Sequence, residues 1–287
     1  MPTVISVINL KGGVGKTTVT VALAEFLALE FGYRVLVVDT DPQTNATVSL
    51  ISEKEWERRN RQGRTIAQLF RDKLENRHVF VAEEAIVKGV SNVGGGIPNL
   101  DLLPSSLDLV DLQDRMINMP TKDVFSANPV EVMGEALAEV LVAYDFVLID
   151  CPPNLGLITQ NGLIFSNYYL IPVIPDVLST YGIPQIVTRI NRFGEENRVV
   201  IPPLGIIITR YRAQSSIHRG MVKNLQAKSG REYPRVFATI LAESNQAAAA
   251  MDVTNRYSTL KRKYGYAADG VYEQYKKLAK ELLRYVG

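Results

Sequence analysis

Residues 11–18 (KGGVGKTT) set three glycines between two lysines and end on a pair of hydroxyls. Glycines let a backbone turn with its N–H groups pointing inward, which makes a cradle for phosphate oxygens. A helix starting directly behind adds unpaired N–H groups and the positive end of its dipole. Lys16 is then placed to reach the β- and γ-phosphates of a nucleotide, and the Thr17 hydroxyl to ligate Mg²⁺. Acidic groups stand at two other places. Asp39 closes the apolar run 34–39 (RVLVVD), with Asp41 two residues on, and Asp150 closes 145–150 (DFVLID). An apolar strand ending in Asp suits a carboxylate that reaches Mg²⁺ through water. Together these are the parts of a phosphoryl-transfer site. The attacking water needs a positioned acceptor, while metal and lysines neutralise the transferred group. Two plainer readings exist: a Gly-rich turn with no ligand, and an aspartate pair that only caps the next helix.

Such groups work only if an element holds each of them. Apolar, β-branched runs at 3–8, 34–39, 99–103, 145–150, 169–173, 204–209 and 236–240 read as strands. Segments of helical period at 16–31, 130–143, 184–193, 215–227 and 270–286 alternate with them. Runs that are apolar throughout belong to strands buried on both faces, so the expected fold is α/β. It is a doubly wound, mostly parallel sheet of about seven to eight strands, with helices on both faces. Ligands of such sheets lie at the carboxyl ends of the strands, where Asp39 and Asp150 fall. All 287 residues read as one domain, with 52–98 as a charge-rich surface excursion containing Gly94, Gly95 and Gly96.

Hydrophobic residues make up 46% and charged residues 22%, enough apolar mass for a buried core. The net charge of +2 hides an asymmetry: residues 1–185 carry 14 Lys and Arg against 22 Asp and Glu, and residues 186–287 carry 18 against 8. A basic last third suits a surface facing a polyanion, and a scatter of solvated charges explains it equally well. The single cysteine, Cys151, excludes an internal disulfide and fits a reducing compartment. No apolar run approaches the roughly 20 residues needed to span a bilayer, and the start has no signal-peptide pattern. A cytoplasmic protein is expected.

The strict phosphate-loop pattern has glycine where Leu10 stands, and Lys11 opens the loop instead. KGGVGKTT resembles the deviant Walker A box of the ParA/MinD family of ATPases. VVDTDPQTNAT is similar to that family's D-x-D-P-Q-x-N signature, and Asp150-Cys151-Pro152-Pro153 to its D-x-P-P form. The resemblance runs over nearly the whole chain and is closest to ParA (Soj-like) proteins. It implies ATP and Mg²⁺ as cofactors, slow hydrolysis to ADP and phosphate stimulated by a partner, and a homodimer sandwiching two nucleotides. Lys11 would cross to the partner subunit's phosphates. Asp41 would orient the attacking water and Asp39 would support the metal. Lys11, Lys16 and Asp41 are then the catalytic set, and Thr17, Asp41 and Asp150 the metal set. The remaining nucleotide contacts would come from Gly12, Gly13, Val14, Gly15, Thr18 and Asp39. The base would pack near Thr209 and Arg210, with Tyr211 and the loop after Thr239 and Ile240 close by.

Two surfaces separate the functional readings. A ParA-like protein binds DNA non-specifically, associates with the nucleoid and positions a cargo through a ParB-like or other adaptor. Candidate phosphate contacts are Arg212, Arg219, Lys223, Arg256, Lys261, Arg262 and Lys263. The uncharged stretch 244–251 (SNQAAAAM) departs from the basic segment common in relatives, and no helix-turn-helix precedes the loop. A MinD-like protein would sit on a membrane through an amphipathic last helix. Residues 270–287 carry an apolar stripe but lack the aromatic cluster of an interfacial anchor, so membrane binding is not expected. Cluster assembly, as in related iron-protein ATPases, needs bridging cysteines that one Cys cannot supply.

Overall fold

The computed structural model describes residues 1–118, 128–268 and 270–287. Seven strands form one sheet: β1 (Thr3–Val7), β2 (Val35–Asp39), β3 (Leu100–Leu103), β4 (Phe146–Asp150), β5 (Tyr168–Val173), β6 (Pro203–Tyr211) and β7 (Val236–Ala242). All pairings are parallel, in the order β3-β2-β4-β1-β5-β6-β7. The all-apolar runs therefore do lie in a sheet covered on both faces, and their carboxyl ends share one edge.

Strand alternation splits the core in two. Val4, Ile8, Leu36, Val38, Val147 and Ile149 face one layer, while Ile5, Val7, Val35, Val37 and Leu148 face the other. The first layer holds α4 (Ile66–Glu75), α6 (Leu109–Asn118), α7 (Val132–Leu141), α8 (Leu157–Ile164) and α9 (Val177–Asn197). The second holds α1 (Lys16–Leu29) and α13 (Val271–Val286). Shorter helices fill the connections: α2 (Asn45–Leu50), α3 (Glu53–Arg61), α5 (Ala82–Ala85), α11 (Asn245–Ala249) and α12 (Leu260–Tyr264), with α10 (Ser216–Lys228) beyond β6.

Two expectations need correction. The stretch 52–98 does not simply ride on the surface. Although α3 is without buried residues, α4 buries Ile66, Leu69, Phe70 and Leu74 in the first layer. Their spacing of i, i+3, i+4, i+8 is one helical face, extending the short helical pattern readable at 65–71. The helix expected at 184–193 begins seven residues earlier, at Val177, and keeps Pro184 inside it. Proline suits a first helical turn, but here Asp176 supplies the start by accepting the Ser179 N–H at 2.6 Å.

Both edges of the sheet are covered. Beside β3, Val87 exchanges backbone hydrogen bonds with Leu102 at 2.7 and 2.9 Å. Beside β7, Glu281 of α13 accepts the N–H groups of Ala238 and Thr239, and Gln274 accepts that of Ala242. The rest of α13 is docked: Tyr272 and Tyr275 lie 5.2 and 6.2 Å from the Phe26 ring, and Leu278 and Leu282 are buried. No helix among the described residues is long and apolar enough to cross a membrane.

Candidate functional site: a phosphate loop and three carboxylates

The loop following β1 lies between β4 and β5, at the centre of the sheet's carboxyl edge. Asn9 fixes its start, donating from Nδ2 to the Pro172 carbonyl at 2.7 Å and accepting the Lys11 N–H at 2.9 Å. Gly13 and Gly15 have φ of 73° and 88°, a left-handed backbone in which a side chain is strained. Two consecutive residues at the end of β6 hold the loop from behind. Thr209 Oγ1 donates to the Val14 carbonyl at 2.7 Å, and Arg210 Nη1 to the Gly13 carbonyl at 2.9 Å. In a trans peptide the C=O and the following N–H point opposite ways, so tying these carbonyls back turns the next amides toward the cleft. Arg210 takes a left-handed φ of 48° to do so. Gly15 starts α1 with no side chain on its N–H groups, an arrangement open to an anion.

The carboxylates converge on the same point. Asp150 accepts from Thr17 Oγ1 at 2.7 Å and from Thr20 Oγ1 at 3.1 Å. Asp39 is fully buried and accepts the Thr47 N–H and hydroxyl at 2.8 and 2.7 Å, with the Asp41 N–H at 3.1 Å. Asp41 accepts the Gln43 N–H, and its own carbonyl takes the Ser105 hydroxyl at 2.7 Å. Burial, with the Asp41 charge adding to it, pushes Asp150 up to about 7 against the pull of the Thr17 hydrogen bond. Burial and then the Asp150 charge raise Asp39 well above the carboxylate range. Lys16 is buried too, and that burial lowers its pKa against the attraction of Asp150 and Asp41. Crowded, desolvated carboxylates beside a desolvated ammonium are poised for a cation and a polyanion that would restore their charges. Cys151 is shut in the core and burial pushes its thiol up to about 12, so it is an inert apolar group.

A cleft of about 910 Å³ opens over the loop, a size that suits a nucleotide. Beyond Thr209 and Arg210 its wall is made by Leu241, Ala248, Met251 and Tyr275. Glu243 on the rim binds both Arg210 and Arg212. The Lys11 side chain turns away from Lys16, whose ammonium donates to the Lys11 carbonyl at 3.3 Å. The Lys11 ammonium instead meets Asp176 at 3.1 Å and Ser179 Oγ at 2.9 Å. Thr20, Ser105 and Glu243 had no motif to announce them, whereas Thr47 closes the stretch VVDTDPQTNAT and Asp176 with Ser179 has the residue types of a helix start. Thr20 could have been read from its place three residues beyond Thr17 on the same helix face.

Among the DNA candidates, Arg212, Arg219, Lys223, Arg256, Lys261 and Arg262 are exposed. Lys263 is not: it is fully buried and donates to Glu25 at 2.6 Å, beside Tyr264. It therefore belongs to the core and not to a phosphate-facing surface. Lys263→Ala leaves the Glu25 charge buried and unpaired, and a loss of about 3–5 kcal/mol is expected in urea unfolding. A variant that unfolds at the wild-type denaturant midpoint would contradict this.

Comparison with known proteins agrees with this geometry. A family model described as an AAA domain matches residues 2–201. The "Chromosome-partitioning ATPase Soj" of Treponema pallidum is 31% identical over 234 residues, 82% of this chain and 80% of that one. The "Sporulation initiation inhibitor protein Soj" of Bacillus subtilis is 30% identical over 76% of each chain. Among solved structures, cobyrinic acid a,c-diamide synthase from Mycobacterium smegmatis, with bound ATP analog and magnesium, superimposes with a TM-score of 0.73. It is 24% identical and covers 100% of this chain and 96% of that one, a likeness of fold. The phosphate loop opened by Lys11, its carboxylates and the similarity to Soj across four-fifths of the sequence place this chain in the ParA/MinD family of P-loop ATPases.

Proposed function

We propose that this chain is a ParA-type positioning ATPase that uses ATP as a timer. It binds Mg²⁺ and ATP at the loop, closes into a homodimer over two nucleotides, and in that state holds DNA without reading sequence. A partner carrying the cargo, ParB-like or another adaptor, stimulates slow hydrolysis and so releases the dimer. The working unit is a single domain, cytoplasmic and associated with the nucleoid.

The observation that carries this reading is the pair of lysines. Lys16 lines the cleft with Asp41 and feels the charge of the buried Asp150, while Lys11 heads the loop with its ammonium turned away from that centre. Lys16 and the loop amides hold the phosphates, and Asp41 accepts from the attacking water. The Thr17 hydroxyl and Asp150, hydrogen-bonded at 2.7 Å, are the groups that would hold Mg²⁺. When bound, Mg²⁺ supplies charge neutralisation at the β- and γ-phosphate oxygens. Lys11 is left to serve Lys16's counterpart site on a second subunit.

The DNA surface rests on Arg219 and Lys223 of α10 together with Arg256, Lys261 and Arg262, all exposed. The membrane reading loses its carrier, because the apolar face of α13 is spent on Phe26 and β7. Retention on DNA is expected with ATP and not with ADP. It should be indifferent to sequence and fall by about 10³-fold or more between 50 and 200 mM salt if six or more phosphates are contacted. Equal retention with ADP, or binding to anionic liposomes in place of DNA, would refute the proposal.

A further inference from the structure

Resting on the two-subunit reading above, we propose that Asp176 and Ser179 are positioning residues that hold Lys11 within its own chain and compete with the triphosphate for its ammonium. The sheet order sets β5 beside β1, so Asp176, at the helix start just beyond β5, abuts Lys11, which heads the phosphate loop. Two acceptors converge there on one ammonium. Lys11 Nζ lies 3.1 and 3.4 Å from the Asp176 carboxylate oxygens and 2.9 Å from Ser179 Oγ.

The two sides of this contact differ in rigidity. Asp176 is fixed by the helix it starts, accepting the Ser179 N–H at 2.6 Å. That bond keeps its carboxylate in place whether or not Lys11 is present. Lys11 reaches the carboxylate only through a four-carbon stem with freely rotating bonds. The holder is thus built into α9, and the held group is free to change partner. Burial works against the charge on Asp176, but the Ser179 and Lys11 hydrogen bonds keep its pKa below the ordinary value.

Solvent access favours exchange as well. The Lys11 and Asp176 side chains are 41% and 32% exposed, so parting them strands neither charge in the core. A pair this exposed holds its lysine by roughly twofold to fivefold. A dimer that takes up two such lysines must release both, which penalises closure by about 4- to 25-fold. The contact then sets the ATP level at which two chains close, while leaving each chain's own nucleotide site alone.

Asp176→Asn removes the charge and keeps an acceptor able to cap α9, so the fold is preserved. Lysines of the full-length protein are ¹³C-dimethylated, with the Lys11 signal assigned by Lys11→Arg. In the presence of ADP the signal is expected to shift on Asp176→Asn, shift less on Ser179→Ala and return toward wild type with Asp176→Glu. Sedimentation with Mg²⁺ and ATPγS should show Asp176→Asn closing into dimers at about 4- to 25-fold lower protein concentration. ADP affinity should be unchanged. An unmoved Lys11 signal, or dimerisation that is equal or weaker in Asp176→Asn, overturns the proposal. If the wild-type chain never dimerises with ATPγS, the nucleotide-sandwich reading fails instead, and the Lys11 signal still decides whether Asp176 holds the ammonium.

Discussion

Lys16→Ala is expected to lose ATP and ADP binding by about 100-fold or more. A charge-assisted hydrogen bond to phosphate contributes about 1.5–3 kcal/mol, equivalent to about 10- to 150-fold in affinity. Removing it also leaves Asp41 and Asp150, both coupled to the Lys16 charge, facing the triphosphate unopposed. The ammonium is buried and among the described residues donates to the Lys11 carbonyl at 3.3 Å without an ion pair, so the fold should survive its removal. Titration calorimetry with both nucleotides checks this, and Lys16→Gln separates the charge from the stem. Affinity within tenfold of wild type would mean that the loop amides alone hold the phosphates.

Asp41→Ala is expected to do the opposite, keeping ATP and losing turnover. A positioned acceptor for the attacking water contributes about 10²–10⁴-fold, so hydrolysis should fall by that factor, with ATP affinity within about threefold. The loss is confined because other groups hold the local fold. Thr47 is anchored by Asp39, and Ser105 bonds the Asp41 backbone, not its carboxylate. Only the Gln43 N–H loses its partner. With hydrolysis blocked, the ATP-bound dimer should persist and DNA retention should outlast that of wild type. Turnover within tenfold of wild type would remove Asp41 from the water-orienting role. A parallel loss of Mg²⁺-dependent ATP affinity would make it a metal residue instead.

The phosphate loop, the strands and the carboxylate positions were legible because each is a local pattern. Apolar runs such as 145–150 leave few alternatives to a buried strand, and the glycines, Lys16 and Thr17 work at fixed spacing. What was not legible joins residues far apart in the chain. Thr209 and Arg210 touch the loop from about 195 residues away, and Asp176 reaches Lys11 across 165. Sequence had assigned Thr209 and Arg210 to the base, and they also brace the loop from behind. Lys263 misled for a related reason: among Lys261 and Arg262 it reads as one more surface charge. Only the position of Glu25 on α1 reveals a buried pair. Pro184 misplaced a helix start because its residue type suits one, while the start signal, Asp176 with Ser179, stood upstream.

The covered margins of the sheet limit how copies of this protein can associate. With Val87 bonded along β3 and Glu281 and Gln274 meeting amides of β7, the sheet edges among the described residues offer a neighbour no open ladder. Covered edges of this kind work against growth by strand addition. Association through side chains and bound ligands is left favoured, and such contacts come apart when the ligand changes. Cutting the chain before α13 would strip the guard from β7, and the product should precipitate rather than stay dispersed.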